Sequence, residues 1–354
     1  MRKNIFSRLY SQTFLFLILS LFTFYGCSKD ENPVEPIPEQ QSDVFEQNKL
    51  LGKGINLGNA LEAPTEGDWG VVIKDEYFSI IKNAGFNSVR IPIKWSAHAL
   101  STSPYTISQP FFSRVDWVVN QALKNGLAVI VNIHHYDEIM QSPLLHKERF
   151  LALWNQIAAR YKDQSNKLFF EILNEPNTNL TASLWNQFVD DATKTIRQTN
   201  PNRTILVGLA EWGGVSALNQ LKLPANEKNI ILSFHYYNPF QFTHQGAEWV
   251  NGSNAWLGTK WTGSSSEMTA VINEFSNVLG WASRNNVPVN LGEFGAYSKA
   301  DMESRVRWTS FVVQLCNQYG ITWNYWEFAA GFGIYDQKTG KFNELYRALI
   351  PGNA

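Results

Sequence analysis

The chain has 354 residues, 44% of them hydrophobic and 17% charged, so it can bury a large core and has an ordinary globular composition. Its 30 Lys and Arg residues balance 31 Asp and Glu residues, and the net charge of -1 excludes electrostatic binding to nucleic acid or to a membrane surface. With 13 Trp and an aromatic content of 14%, the chain carries more large rings than a core of this size needs.

The first residues have the order of a secretory signal peptide, with basic residues before an apolar run at 14–24. A run of this length is too short to span a bilayer as a permanent helix. The segment Tyr25-Gly26-Cys27 resembles the lipobox of bacterial lipoproteins, although Phe24 stands where leucine is usual. We expect a signal peptide at 1–26 and a lipid anchor at Cys27, on the outer membrane or surface of a Gram-negative bacterium. The alternative is an ordinary secreted protein.

Residues 27–43 are expected to form a flexible tether, because they are rich in proline and acidic residues and have almost no apolar ones. A single folded domain is predicted over 44–354. Cys316 is the only cysteine in that domain, so no internal disulfide framework is expected. Its apolar helical context predicts a buried small hydrophobic residue.

From Val44 onward the chain alternates short apolar strands, polar turns and amphipathic helices. Glycines before several strands are typical of helix ends. Eight strand-helix units in roughly 300 residues predict an α/β fold, the (β/α)8 TIM barrel, as one domain. The predicted strands are Leu51–Leu57, Phe86–Ile91, Ala128–Ile133, Leu168–Leu173, Thr204–Leu209, Ile230–Phe234, Pro288–Leu291 and Ile321–Tyr325.

One connection breaks this rhythm, the long segment from Asn238 to Ser266. It carries Trp249, Trp256 and Trp261. Loops of that length in compact domains are usually functional, as lids or binding loops.

Polar side chains recur where the predicted strands end, and in a barrel of this type all those ends open onto one face. The fourth strand, an apolar run stopped by Pro176, ends in Asn174-Glu175. Two carboxylates on different strands, Glu175 and Glu293, stand among neutral, basic and aromatic neighbours. The other strand-end residues are Arg90, His134, His135, His235, Tyr237 and Trp326.

Three features together resemble family five of the glycoside hydrolases, the cellulase family: Asn174-Glu175-Pro176, Arg90 after an apolar strand, and Gly292-Glu293-Phe294-Gly295. The resemblance covers the chain from about Gly54 to Leu349. Further segments resemble a branch whose members include bacterial endoglucanases that also cleave mannan. These segments are His134-His135-Tyr136, Ala210–Gly214 and His235–Phe240.

The resemblance implies two carboxyl groups with opposite protonation states on either side of a glycosidic bond. Glu175 resembles the general acid/base, which must carry a proton at the working pH. Glu293 resembles the nucleophile, which must stay ionised with the help of Arg90 and Tyr237. The family retains configuration, which places the two carboxyl groups about 5 to 5.5 Å apart.

The resemblance also implies roles for the residues around the carboxylates. Asn174 would bind the 2-hydroxyl of the sugar, His134 would line the floor near the nucleophile, and His135 would reach a sugar hydroxyl. Because adjacent strand residues point to opposite sides, the two histidines are not expected to be equivalent. His235 shares a face with Tyr237 and is expected to point into the cleft, although a structural role in the core is the alternative.

Aromatic and polar residues are expected to continue the binding site along the glycan. Trp326 resembles the aromatic floor beneath the sugar that is attacked. Further contacts are expected from Asn59, Glu62 and Trp212. Sugar stacking and packing of the lid remain open for the tryptophans of the long loop. No metal and no cofactor are expected, since no metal-binding spacing supports the histidine pair.

The leading hypothesis is a retaining endo-β-1,4-glucanase that acts as a monomer on cellulose-type and mixed-linkage β-glucans. Endo-β-1,4-mannanase or dual activity is the alternative, because glucose and mannose differ only at C2. A non-catalytic glycan-binding surface lipoprotein is the alternative of another class, and loss of either glutamate would be its signature. A barrel enzyme using phosphate or a cofactor would need glycine-rich turns after the last two strands, which are too sparse here.

Overall fold

The structure is a computed structural model that describes residues 43–352. The expected signal peptide, Cys27 and nearly all of the tether lie outside the described residues. The first helix, α1, spans Val44–Leu51, and Asp43 caps it by accepting a hydrogen bond from the Phe45 amide at 3.0 Å. Leu51, which the sequence pattern assigned to the first strand, is therefore the end of a helix.

Eight parallel strands form a closed barrel in which each strand pairs with the next along the chain and the last pairs with the first. This confirms the predicted TIM barrel, and each strand overlaps the segment predicted for it. The strands are β1 Lys53–Asn56, β2 Ser88–Ile91, β3 Ala128–Asn132, β4 Leu168–Glu171, β5 Ile205–Gly208, β6 Ile230–Tyr236, β7 Val289–Phe294 and β8 Thr322–Tyr325.

Helices surround the barrel, and a short antiparallel hairpin of β9 (Tyr335–Asp336) and β10 (Lys341–Phe342) follows it. Among residues 43–352, no helix is both long and apolar enough to cross a bilayer. The helices after α1 are α2 Asp75–Asn83, α3 Gln109–Lys124, α4 Asp137–Gln141, α5 Pro143–Arg160, α6 Ala182–Arg197, α7 Phe240–Thr243, α8 Ser265–Asn285, α9 Met302–Tyr319 and α10 Leu345–Leu349.

The fifth strand is not followed by an α-helix, which differs from the predicted alternation. Only a short 3-10 helix, Val215–Gln220, stands there. Gly213 and Gly214 precede it and Pro224 follows it, so few residues remain between helix breakers. The shorter connection leaves Trp212 on an open loop at the carboxyl end of the barrel.

Helix α1 closes the amino-terminal end of the barrel. Leu51 packs against apolar residues from inside the barrel, among them Ile130 and Phe169. The amide of Asn48 donates to the Val289 carbonyl at 3.1 Å and accepts from the Thr322 hydroxyl at 2.9 Å. The carboxyl end of the barrel is left open for a functional site.

An irregularity in β7 determines where Glu293 points. Asn290 faces the barrel interior, where its amide donates to Asn324 at 3.2 Å. Strict alternation would turn Glu293, three residues later, to the outside. The pairing of β6 with β7 shifts register after Phe234, which leaves Gly292 as an extra residue and re-aims Glu293 into the cleft. A Cβ atom on Gly292 would lie 2.7 Å from the Ser233 hydroxyl, so no side chain fits there.

Candidate active site

A cavity of about 670 Å³ opens at the carboxyl end of the barrel. A second cavity of about 270 Å³ shares His135, Asn174 and Glu175 with it and reaches Trp212. Together they place the predicted site residues in one cleft, with Arg90 and His235 buried beside it. The larger cavity is lined by Asn59, Glu62, Trp69, His134, His135, Asn174, Glu175, Tyr237, His244, Trp249, Glu293, Tyr297, Trp326, Gly331 and Phe332.

Glu175 and Glu293 face each other across this cleft. One carboxylate oxygen of each lies, together with a nitrogen of His235, within a group whose atoms are all within 4.8 Å of one another. The Nδ1 atom of His235 is 2.7 Å from Glu175 Oε1 and 3.6 Å from Glu293 Oε2. The carboxyl separation therefore matches the short spacing predicted for a retaining pair and not the wide spacing of an inverting one.

Two donors hold the Glu293 carboxylate. Arg90 donates from Nη1 to Glu293 Oε1 at 2.6 Å, and the Tyr237 hydroxyl donates to Oε2 at 2.9 Å. Burial, followed by the charges of Glu293 and Glu175, raises the pKa of Tyr237 well above its usual value. The phenol therefore keeps its proton and remains a donor, so both contacts are hydrogen bonds to the Glu293 carboxylate.

His235 links the two carboxylates electrostatically. Burial opposes the charge of its ring, but the neighbouring carboxylates of Glu293 and Glu175 outweigh burial and raise the pKa of His235. The Nδ1 position next to Glu175 Oε1 allows one proton to be shared between the ring and the carboxyl group. His235 thus contacts both carboxylates that line the cleft, which favours the functional interpretation over a purely structural one.

Arg90 lies fully buried under the cleft and contacts more groups than the sequence pattern indicated. Its Nε and Nη2 atoms donate to Glu171 at 2.6 and 2.8 Å, and Nη1 also donates to Asn56 Oδ1 at 2.8 Å. Burial would lower the pKa of Arg90, but attraction to Glu171 and Glu293 raises it, so the guanidinium stays charged. The sequence analysis identifies neither Glu171 nor Asn56, although an acid inside an apolar strand is a detectable signal.

The orientation of Asn174 follows from Arg90. Arg90 Nη2 donates to Asn174 Oδ1 at 2.8 Å, which fixes the side-chain oxygen and leaves the amide N–H groups available to the cleft. This orientation suits donation to a hydroxyl of a bound sugar.

Several residues at the strand ends adopt left-handed backbone conformations that side chains rarely occupy. Glu175 has a φ of 44°, His135 of 46°, Trp212 of 57° and Asn59 of 61°. Such conformations cost free energy, and the surrounding structure must enforce them. Their concentration at the carboxyl ends of the strands is typical of a functional site.

His134 is held as a neutral ring with a defined tautomer. The Ile93 amide donates to Asn132 Oδ1 at 3.3 Å, so the Asn132 amide nitrogen points to His134 Nδ1, 3.0 Å away. Nδ1 then accepts and the proton lies on Nε2. Burial holds the pKa of His134 well below its usual value, and the ring lies parallel to Trp326 with 6.0 Å between centroids.

His135 lies beyond the end of β3, where strand alternation no longer applies. Both histidines line the larger cavity for this reason, but His134 is buried and His135 is partly exposed. Burial also lowers the pKa of His135. Its ring meets Trp69 edge-on, with 5.4 Å between centroids.

Glu62, for which a glycan contact is predicted, lines the larger cavity and also has a structural role. The side chain is 0% exposed, and its oxygens accept from the backbone amides of Asn59 and Ala60, the latter at 2.9 Å. Glu62 thus holds the loop after β1 in shape beneath the cleft. Asn59, on that loop, lines the cavity as predicted.

The free energy of unfolding is expected to fall as the pH rises from about 4.5 to about 8, in part through Glu62. Burial raises the pKa of Glu62 from its usual 4.5 to about 8. Between these values the unfolded carboxyl is ionised while the folded one keeps its proton, so folding takes up a proton and rising pH opposes it. Thermal unfolding across this range should show a smaller fall for Glu62→Gln than for the unchanged protein.

A residual dependence should remain in Glu62→Gln, because burial also raises the pKa of Glu327, to about 7. Identical pH dependences of Tm in the two proteins would contradict the assignment to Glu62.

The three tryptophans of the long loop have different environments. Trp261 is buried against Phe311, and its carbonyl accepts from Arg307 Nη1 at 2.8 Å, so it packs the loop onto α9. Trp249 is 60% exposed and lines the larger cavity, where a sugar ring can stack on it. Trp256 meets Phe240 edge-on within the loop.

Five further residues that the sequence analysis did not identify line the cavity: Trp69, His244, Tyr297, Gly331 and Phe332. Trp69 stands in a turn after β1, and the others come from loops after β6, β7 and β8. Burial lowers the pKa of His244 to about 4, so this ring is neutral. A tryptophan in the loop after the first strand is the one signal that the sequence offers.

Within residues 43–352, one group of three side chains is placed to hold a metal ion, and it consists of Glu175, His235 and Glu293. An ion bound there would lie between the two carboxylates, in competition with a substrate.

A family model described as cellulase (glycosyl hydrolase family 5) matches residues 51–331. Endoglucanase H of Acetivibrio thermocellus is 39% identical over 319 residues, which cover 88% of this chain and 34% of that protein. Endoglucanase B of Clostridium cellulovorans is 30% identical over 374 residues, which cover 95% of this chain and 82% of that protein. The chain therefore spans 34% of the length of one of these relatives and 82% of the other.

Solved structures are similar over the barrel. Cel5A of Thermotoga maritima in complex with mannotriose has a TM-score of 0.86 and 58% identity, covering 87% of this chain and all 100% of that one. The same protein in complex with cellobiose has a TM-score of 0.86 and 59% identity over the same shares. Since the family model covers most of the chain and the barrel agrees, the chain belongs to the cellulase family, glycosyl hydrolase family 5.

Proposed function

We propose that the protein is a retaining endo-β-1,4-glucanase that also accepts mannan. The observation that carries the proposal is the pair of carboxyl groups, Glu175 and Glu293, within 4.8 Å of each other in an open cleft. The reaction requires one ionised and one protonated carboxyl group, and the surroundings of the two differ accordingly. Glu293 accepts hydrogen bonds from two donors, Arg90 and Tyr237, whereas Glu175 is hydrogen-bonded to the His235 ring, with which it can share a proton.

The first step forms a covalent intermediate. Glu293 attacks the anomeric carbon, the bond from that carbon to the leaving-group oxygen breaks, and Glu175 gives its proton to that oxygen. The amide of Asn174, turned toward the cleft, donates to the 2-hydroxyl as positive charge develops on the sugar. His134, stacked on Trp326, supports the floor beneath the ring.

The second step releases the sugar. Glu175, now ionised, removes a proton from water, whose oxygen attacks the anomeric carbon from the face that the leaving group vacated. The bond to Glu293 breaks, and its carboxylate returns to Arg90 and Tyr237. Two inversions at one carbon give net retention of the β configuration.

The shape of the cleft supports cleavage within a chain. Glu175 belongs to both cavities, so sugar units can bind on either side of the bond that it protonates. Exposed tryptophans stand on each side, Trp249 at the larger cavity and Trp212 at the smaller one. Both rings offer apolar faces to the C–H groups of a pyranose.

The choice between glucan and mannan depends on the C2 hydroxyl, which lies beside Asn174 and His135 in the proposed complex. Two relatives are named endoglucanases, and Cel5A of Thermotoga maritima was solved with both cellobiose and mannotriose. These names and complexes support the glucanase assignment together with tolerance of mannose.

Side-by-side assays on carboxymethyl-cellulose, barley glucan and glucomannan test the proposal. We expect a rapid fall in viscosity with short oligosaccharides as products, and proton NMR should show the β anomer first. Initial release of the α anomer would exclude the retaining mechanism. Activity on glucomannan at mannose linkages only would favour the mannanase alternative.

A further inference from the structure

A second buried carboxylate, Glu171, shares Arg90 with the nucleophile. It lies on β4 and is 1% exposed, and it accepts from Arg90 Nε at 2.6 Å and from Nη2 at 2.8 Å. The two hydrogen bonds from Arg90 compensate for the burial of its charge. Glu171 lines neither of the two cavities that Glu175 lines. Its link to the site is Arg90, which also donates to Glu293.

All five N–H groups of Arg90 have one acceptor each. Nε and one hydrogen of Nη2 serve Glu171, and the other hydrogen of Nη2 serves Asn174. The two hydrogens of Nη1 serve Asn56 and Glu293. Because the guanidinium is a rigid plane, the fork to Glu171 sets the direction of the bonds to Asn174 and Glu293.

The charges in this cluster also bear on the nucleophile. One guanidinium faces two buried carboxylates, so its positive charge is divided between Glu171 and Glu293. Without Glu171, the whole charge of Arg90 would act on Glu293 in a poorly solvated site. Glu293 would then stay ionised at lower pH, but its electron pair would be less available for attack on carbon.

We propose that Glu171 is a positioning residue that orients Arg90 and balances its charge, so that Glu293 is ionised and still nucleophilic. This inference rests on the proposed glycosidase function. The other charged or titratable groups that face Glu293 are His235 on β6, Tyr237 directly after β6, Glu175 after β4 and His135 after β3. None of them contacts Glu171 among the described hydrogen bonds.

The test is the pH profile of kcat/KM on a soluble β-glucan for Glu171→Gln. The acid limb of this profile reports protonation of the nucleophile in the free enzyme. Loss of the charge should move that limb to lower pH by about one unit and reduce kcat at neutral pH about tenfold or more. Glu171→Asp keeps the charge while shortening the side chain, so it should lower kcat and leave the limb in place.

Glu227→Gln is the matched control. Glu227 accepts a similar fork from Arg197 at 2.8 and 3.0 Å, before the amino end of β6 and outside both cavities. Its profile should equal that of the unchanged protein.

The possible results separate the two proposals. An unshifted limb in Glu171→Gln, or equal shifts in the Gln and Asp variants, would overturn the role of Glu171 as a charge balance. If Glu171→Gln does not fold, a displaced limb in Glu171→Asp overturns it equally, and lower kcat with an unmoved limb supports it. An inactive parent protein would instead refute the glycosidase function itself.

Discussion

Replacing Glu293 with glutamine is expected to lower kcat on every polysaccharide substrate by on the order of 10⁴-fold or more. The amide has the shape of the carboxylate but no charge and no useful nucleophilicity, so the covalent step cannot take place. The fold should survive, because Arg90 keeps Glu171 as its buried counterion and can still donate to the amide oxygen. Kinetics on soluble glucan and a thermal melt measure the two effects.

The variant Glu293→Ala tests the role of the same residue by chemical rescue. It opens space beside Arg90 into which azide can enter and attack the anomeric carbon of an activated aryl β-cellobioside. Attack from the side of the missing carboxylate should give the α-glycosyl azide. Retention of a few per cent of the parent activity in Glu293→Gln, or a β-glycosyl azide from Glu293→Ala, would show that Glu293 is not the nucleophile.

The position of the two glutamates could be anticipated because the barrel imposes it. Parallel strands that end in polar residues must place those residues on one face, and Pro176 marks the end of the fourth strand clearly. The same reasoning placed Arg90, His134 and Tyr237. Their positions could be predicted because each lies near the point where an apolar run ends.

Other features depend on contacts between distant segments and left no local pattern. The extra residue Gly292 turns Glu293 inward, but a bulge shows only when β7 is paired with β6. A glutamate such as Glu62 is usually found on the surface. The backbone amides that bind its carboxyl group inside the protein come close to it only in the folded loop, so the sequence does not reveal them. Trp249 and Trp261 look alike in the sequence, and only packing against α9 separates them.

The role of Glu171 depends on a partner on another strand and is therefore not visible in its own segment. An apolar strand is expected to carry no charge unless a partner compensates for it, and the partner, Arg90, is on another strand. The sequence does not show that these two residues are in contact. Together they form a compensated cluster whose cost in desolvation is offset only by complete hydrogen bonding.

Replacing Glu175 with alanine is expected to affect substrates according to their leaving groups. A sugar hydroxyl leaves poorly without a proton, so kcat/KM on cellulose-type chains should fall by about 10²- to 10⁴-fold. A dinitrophenyl β-cellobioside needs no proton at its leaving oxygen, and its kcat/KM should change about tenfold or less. For that substrate kcat and KM should fall together, because water is no longer activated and the glycosyl-enzyme accumulates.

Azide identifies the step that Glu175 serves. In Glu175→Ala the intermediate on Glu293 forms from the activated substrate, and azide can replace water without a general base. Attack on the face opposite to Glu293 should restore turnover and give the β-glycosyl azide, the opposite anomer to that from Glu293→Ala. Since the two carboxyl groups lie within 4.8 Å of each other, the anomer formed distinguishes their roles where distance alone does not. Equal losses on both classes of substrate would show that Glu175 binds the sugar and transfers no proton.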